Sequence, residues 1–590
     1  MTIQAVLVVT LLAASATGAV AEDTDTSAWI RFGAAEADIT PIVERYEDLN
    51  GNGRYDMGDP TQPFEFGDKV TRFREGEIMV GNGSGTALYV HGPLKTSVAV
   101  FEDPVTKTRV AYVSADLYLI LQHDTEAIRA RVPKSLGIDY LVVAPSHNHM
   151  GPDTLGMMGL SGKSVADILK IAYGPKTDAP SGINPIWFER FMDTIVQSLE
   201  KAVESMQPAR MRLGKTRFSF GMADEREPKI IDDDLMTMQL IGADQTPIAT
   251  IVQGTCHPES VLIYGDERYT NVDYAGLSDR ALEAWGRTLS PGFPGYVRKY
   301  VRENGGGVPL YFSGPVGAMV SNIFEKVWDP EAHPEYPITA NPETVPEEIK
   351  VPTDYRMMHL MGREMGKAAM ASLKDGETVD AGRVSYVRKE ILVPLQNPMF
   401  RLISGMGILG YSQGALYDDQ GRSDRDVSHM VRGLFAPGLQ IPTGRNMKTE
   451  VALVNIGPAQ FINIPAEIVG EMTRGLPDDF YTNVPKYFPD NPKAHPTGKD
   501  YVLQFPPLKK QSKSKYPFII GLANSDMGYV IPACDFKPPH DLWMVPPFSF
   551  WWIAIDASGN PHYEESMTAS KQMETRIVGA LTELLSGAKE

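Results

Sequence analysis

Short apolar runs broken by turn residues recur along the chain, and their spacing separates strands from helices. Tyr140 to Ala144 is a run of five mostly apolar residues stopped by Pro145, which predicts a buried strand. Thr96 to Asp103 and Arg109 to Leu117 predict a pair of strands. Asp234 to Gly242 and Pro247 to Thr255 predict another pair, and Val308 to Gly314 predicts a strand entering a Gly-rich turn. Val451 to Pro465 predicts a hairpin around Gly457-Pro458. Helical periodicity is clearest over Trp187 to Met206, where Phe188, Phe191, Met192, Ile195, Val196, Leu199 and Val203 form one stripe that ends before Pro208. Helices are also predicted over Asp124 to Val132, Tyr274 to Trp285, Met357 to Leu373 and Glu565 to Leu585. Segments 325–355 and 478–516, rich in Pro, Lys and Asp, read as surface-running. The alternation predicts an α/β fold with mixed β-sheets flanked by helices.

At the N-terminus, "AVLVVTLLAA" and the small-x-small triplet Ala19 to Ala21 read as a signal peptide over residues 1–21. This predicts a secreted or periplasmic protein, with residues 22–590 as a single catalytic domain. No later stretch reaches transmembrane length. The 590 residues carry a formal net charge of −18, which excludes a phosphate-binding surface for nucleic acid. The two cysteines, Cys256 and Cys534, are no disulfide framework; one bridge and two free thiols are both open. Oligomeric state is not legible.

Only eleven histidines are present, and two of them, His147 and His149, lie at the mouth of the Tyr140 strand. In an extended segment, residues two apart share a face. His257 follows a second strand, and Glu467 follows a third just after Pro465, at the expected start of a helix. Histidine nitrogens plus a carboxylate suit Zn²⁺ with an open position. A packed or surface role for each histidine is the alternative.

Taken in order, these segments resemble the neutral (non-lysosomal) ceramidase family. The resemblance rests on "RFGAAEADITPI", "YVSADL", "SHNHMGP", "GTCHPES", "IPAEIVGEM" and "LANSDMGYVIP". It implies zinc held by His147, His257, Glu467 and Tyr529, with His149 beside the metal as a catalytic neighbour and Arg226 in "DEREP" contacting substrate. Asp116 would be a second acceptor behind a ligand histidine, or a turn cap. Asp526, where the family has a tyrosine, would add a carboxylate near the metal. The family's serine motif is altered: in "GPVGAMVSN", Ala318 and Val320 take the aspartate and serine positions and Ser321 is one place off. Water activated by zinc is then the expected nucleophile. The family's trailing β-sandwich is not expected here. The resemblance implies hydrolysis of a lipid-like, ceramide-type amide. An esterase or amidase with a more polar substrate, and a calcium-stabilised binding protein with a decayed site, are the alternatives.

"DLNGNGRYDMGD" matches a Ca²⁺ loop, with Asp48, Asn50, Asn52, Arg54 (by its carbonyl), Asp56 and Asp59 at positions 1, 3, 5, 7, 9 and 12. Aspartate at position 12 weakens it, and an Asx/Gly turn is the alternative. Trp543, Phe548, Phe550, Trp551 and Trp552 could wall an acyl pocket, touch lipid or pack in the core. His91 reads as a surface histidine.

Overall fold

The computed structural model describes residues 25–59, 61, 67–83, 85–156, 158–160, 182–259, 279–284, 286–321, 326–351, 354–380, 382–397, 400, 404, 409–412, 416–423, 431–432, 440–441, 445–490, 495–537, 543–544, 554–555 and 561–587. The signal-peptide segment lies outside these residues, as do Phe548, Phe550, Trp551, Trp552 and the first part of the Tyr274 to Trp285 helix. The end of that helix is present as Asp279–Ala284.

Eight strands make the spine of a large mixed sheet: β1 (Ile30–Asp38), β2 (Lys95–Glu102), β3 (Arg109–Ala115), β4 (Tyr140–Pro145), β5 (Gln207–Arg217), β6 (Asp234–Gly242), β7 (Pro247–Gly254) and β8 (Val308–Ser313). Their order is β8-β7-β6-β5-β1-β2-β3-β4, and β9 (Glu377–Val379) adds to β5. The chain runs the same course twice: three antiparallel strands, then a crossover to a parallel fourth. Only β3/β4 and β7/β8 are parallel in this sheet. The crossovers carry α1 (Gln122–Arg131) and α3 (Gly292–Glu303). Parallel neighbours need such long connections, which explains why helices interrupt the strands at those two places.

A second sheet, β10 (Val384–Pro394), β11 (Asn446–Ile456), β12 (Ala459–Asn463) and β13 (Tyr516–Ile520), stacks on the first. Here β12 and β13 form the parallel pair. The stacking follows from period-2 alternation. Tyr140, Val142 and Ala144 of β4 join Val454, Phe461 and Phe518 of the second sheet in one core. The intervening Leu141 and Val143 face α2 (Pro185–Glu204) instead. The stripe of α2 buries Trp187, Phe188, Phe191, Met192, Ile195 and Leu199, each contributing about 1.5–3 kcal/mol. Asn184 caps this helix by accepting from Trp187 N. The other half of the outer face is covered by α3 and α4 (Tyr355–Ser372). The far face of the second sheet is covered by α5 (Gly579–Ser586). The layers are therefore helix, sheet, sheet, helix.

Several elements depart from expectation. The closing helix is broken: a single turn, Tyr563–Ser566, is separated by non-helical residues from a π-helical stretch, Glu574–Val578, that runs directly into α5. Residues 567–569 are drawn off to pair with the Tyr529 strand, where Tyr529 N donates to Met567 O and Ala569 N to Met527 O. Segment 478–516 is not only surface, because Phe480, Tyr487, Phe488 and Tyr501 form a small core of their own. His91 is buried and stacked on Tyr355 at 3.8 Å, not exposed. Burial holds its imidazole down at about 4. Cys256 and Cys534 are both free thiols. Among the described residues, no helix is long and apolar enough to cross a membrane.

Candidate metal centre

Three parallel strand pairs end at one place. Ser313 Oγ donates to Ser146 O, Gly521 N donates to Ser313 O, and Asn524 exchanges two bonds with the backbone of Val143. The carboxyl ends of β4, β7, β8, β12 and β13 are thereby stitched together, in the position where α/β sheets place ligands. Backbone strain concentrates there. Of the seven described non-glycine residues with positive φ, five (His147, Cys256, Ala318, Leu522 and Asn524) lie in these strand-end turns. Such conformations persist only where surrounding contacts enforce them.

The turn after β4 brings His147 and His149 together, though by a left-handed bend (φ +58° at His147) and not by extended alternation. Their rings are 4.8 Å apart and nearly perpendicular. His257 is set by the turn after β7, where its N–H donates to Met319 O and its carbonyl accepts from Ser321 N. The nitrogens of His147, His149 and His257 lie within 4.8 Å of one another, so this buried group could hold a metal ion. Glu467 comes from a two-residue strand, Glu467–Ile468, and not from a helix start; its register partner is Tyr529. Gly317 makes this approach possible, because a Cβ there would stand 2.7 Å from Glu467 O. Glu467 Oε2 lies 2.9 Å from His257 Nε2 and 3.6 Å from His147 Nε2.

This donor set fits a cation. His147 Nδ1 meets Tyr118 O at 2.9 Å and His257 Nδ1 meets Met319 O at 2.8 Å. A carbonyl only accepts, so both Nδ1 atoms carry protons and a neutral ring turns a bare Nε2 toward Glu467. Bare nitrogen against carboxylate is unfavourable unless a proton or a metal ion stands between them. The electrostatics carry the same demand. Burial opposes charge on His257, but Glu259 and Glu467 outweigh it and raise its imidazole to about 9. Burial likewise opposes charge on Glu467, but His147 and His257 outweigh it and hold its carboxyl well below the usual range. Burial, and then the Glu467 charge, push Asp526 up to about 7. Burial, then His147 and His257, keep His149 neutral. Tyr529 and Asp526 complete the floor of a cavity of about 920 Å³, counted with its open mouth. Its walls are largely apolar, including Leu119, Leu121, Met158, Phe400, Met527 and Met567.

Other expected residues lie differently. Asp116 is buried against Arg298 and accepts from Lys95 N. The groups behind the histidines are instead the carbonyls of Tyr118 and Met319. Arg226 is enclosed with Glu471 at 2.8 Å and with Asp535, so its guanidinium is committed to that ion network. Ser321 is fully buried and its Oγ accepts from Glu259 N at 2.7 Å, while Val320 bridges His257. Asp48, Asn50, Asn52 and Asp56 gather in their loop, with both amides bonded to Asp56. Asp59 turns away to Thr61, and Asp68 takes the closing position by accepting from Leu49 N and Asp56 N. Trp543 falls in a short strand paired with Ala554–Ile555.

Sequence reasoning missed three residues. Glu259, buried, has Oε1 at 3.3 Å from His149 Nε2, a close approach without hydrogen-bond alignment. Its signal was present: it stands two residues after His257. The ring of Tyr118 stacks on His147 at 5.2 Å and meets His149 edge-on at 4.5 Å. Tyr563 lies 5.9 Å from Tyr529. Neither tyrosine had a sequence signal beyond its position.

Fold and site together define a class: a stacked two-sheet α/β protein with a buried histidine–carboxylate centre at the strand ends. No family profile and no curated protein matches the sequence. Solved structures do match. The crystal structure of neutral ceramidase from Pseudomonas aeruginosa is similar with a TM-score of 0.51 at 14% identity, over 94% of this chain and 73% of that one. A ceramidase complexed with C2 is similar at the same score and identity, over 94% and 74%. At this identity the likeness is one of fold.

Proposed function

We propose that the chain is a secreted zinc-dependent hydrolase that cleaves an amide in an N-acylated substrate with a sizeable apolar part. The observation that carries this reading is the meeting of Glu467 Oε2 with the Nε2 atoms of His257 and His147 on the floor of an apolar-walled cavity. The fold likeness to proteins described as ceramidases supports the amide and the lipid-like substrate. His147, His257 and Glu467, with Tyr529 opposite Glu467, would hold the ion. Zn²⁺ bound there would polarise a carbonyl and make water more acidic. His149 orients the substrate carbonyl or stabilises its developing negative charge. Burial keeps the Tyr563 phenol protonated, so it can donate to the same oxygen. The test is metal analysis of the purified protein together with a panel of ceramide, N-acyl amino acid and simple ester substrates. About one zinc per chain and hydrolysis of an amide are expected; a protein that takes up no zinc, or that hydrolyses nothing in the panel, sinks the reading.

The nucleophile is water on this reading, because Ala318 and Val320 carry no nucleophilic group and the Ser321 hydroxyl is bonded to Glu259 N. Ser321→Ala therefore keeps most of its turnover, and mass spectrometry finds no acyl adduct. A true nucleophile would lose several orders of magnitude, so a dead variant or an acylated serine overturns the assignment.

We also propose Ca²⁺ at the Asp48–Asp56 loop, as a stabilising ion separate from catalysis. With zinc supplied throughout, chelation lowers Tm and Ca²⁺ restores it by mass action. Asp48→Ala and Asp56→Ala remove that response; variants that melt like the parent under both conditions leave the loop a plain turn.

A further inference from the structure

Each course of the large sheet ends its third strand against its fourth: Ala115 of β3 pairs with Pro145, and Gly254 of β7 pairs with Ser313. His257 is the third residue beyond Gly254, and Tyr118 is the third beyond Ala115. Where one half of the sheet supplies an imidazole to the centre, the other half supplies a phenol ring. The backbone on either side of that ring is fixed by the turn that carries the two histidines. Leu117 O accepts from Asn148 N at 2.8 Å, Leu119 N donates to Thr154 Oγ1 at 3.3 Å, and Thr154 Oγ1 donates to Leu119 O. Gly81 closes on the base of the side chain, since a Cβ there would stand 3.0 Å from Tyr118 Cβ.

The ring touches both histidines of the turn. His147 Nδ1 meets Tyr118 O at 2.9 Å, but one hydrogen bond leaves an imidazole free to turn about the axis of that bond. The ring of the same tyrosine removes this freedom by lying along the His147 ring at 5.2 Å and 24°. His149 has a weaker anchor, because its Nε2 is buried without a hydrogen-bond partner. Ring contacts set its plane: Tyr118 at 4.5 Å and 67°, and His147 at 4.8 Å and 89°. Such contacts are directional, because the ring quadrupoles favour offset stacks and edge-to-face meetings.

We propose that Tyr118 is a positioning residue whose ring, and not its hydroxyl, holds His147 in place for the metal ion and His149 in place for the substrate. The role rests on the zinc hydrolase reading and deepens it. The test compares Tyr118→Leu with Tyr118→Phe in the full chain. Zinc affinity is read by chelator competition, and kcat and KM are read at saturating zinc on the amide of the panel that is turned over. Tyr118→Leu weakens zinc binding about tenfold or more. It lowers kcat by a similar factor and leaves KM within about twofold. Tyr118→Phe keeps zinc affinity and kcat within about threefold, because both ring contacts remain. In a His149→Ala background the kcat loss from Tyr118→Leu shrinks below about threefold while the zinc loss persists, since the first runs through His149 and the second through His147. Tyr118→Met replaces Tyr118→Leu should Tm show that the latter has not folded. Zinc affinity unchanged by Tyr118→Leu, an equal fall in Tyr118→Phe, or a full kcat loss without His149 overturns the role. Ring-dependent zinc binding in a protein that hydrolyses no amide removes the hydrolase reading and keeps the role at His147. Amide hydrolysis indifferent to Tyr118→Leu does the reverse, and a parent that takes up no zinc overturns both.

Discussion

His147→Ala and His257→Ala are each expected to abolish zinc retention and to lower kcat/KM by about 10³-fold or more. The two rings come from different strand pairs, β3/β4 and β7/β8, and reach Glu467 Oε2 from separate sides. Alanine at either position leaves the carboxylate with one imidazole, and no nearby nitrogen is free to replace the lost one except that of His149. Metal content is read by mass spectrometry after dialysis, and folding by Tm. Full zinc occupancy in both variants would falsify the ligand assignment. Zinc lost from His257→Ala alone, with His149→Ala metal-free as well, would exchange His149 for His147 in the ligand set.

Glu259→Gln is expected to lower turnover about 10²-fold or more while leaving zinc content unchanged. Its carboxylate lies 3.3 Å from His149 Nε2, and a small turn of the ring would let it accept there and fix which imidazole nitrogen turns to the substrate. An amide can donate as well as accept, so the ring loses its orientation without losing its neighbour. The backbone stays in place because Ser321 Oγ still accepts from the N–H of residue 259. Glu259→Asp recovers part of the activity, which a merely structural role would not produce. Undiminished turnover in Glu259→Gln would remove this residue from the mechanism.

Strands were legible in the sequence wherever both faces are apolar. Tyr140 to Ala144 could be read as buried, but not that its alternate residues serve two different partners, α2 on one side and a second sheet on the other. That stacking is a tertiary fact which no local pattern carries. The histidines could be read from their places at strand ends, and Glu467 from the same rule, although its helix start proved to be a short strand. Asp116 and Arg226 each have a buried ion-pair partner, because carboxylates and guanidinia at such places serve ion pairs as readily as chemistry. Glu259 was visible, yet an acid after proline reads as turn polarity until its depth is known. The closing helix failed because the pull of the Tyr529 strand on Met567 to Ala569 is invisible to helical periodicity.

The assembly of the centre from three parallel pairs ties chemistry to the order in which the chain is made. His147 emerges early and Tyr529 close to the end, and every crossover between them must close before the donors meet. Contacts so distant in sequence form late, since loop closure precedes any reward. A chain ending before β13 would carry His147, His257 and Glu467 but lack Tyr529 and the strand pair that sets Glu467 in place. An ion held by the residues that follow β4, β7, β12 and β13 would in turn slow unfolding, because those strands could not separate without first giving up a ligand.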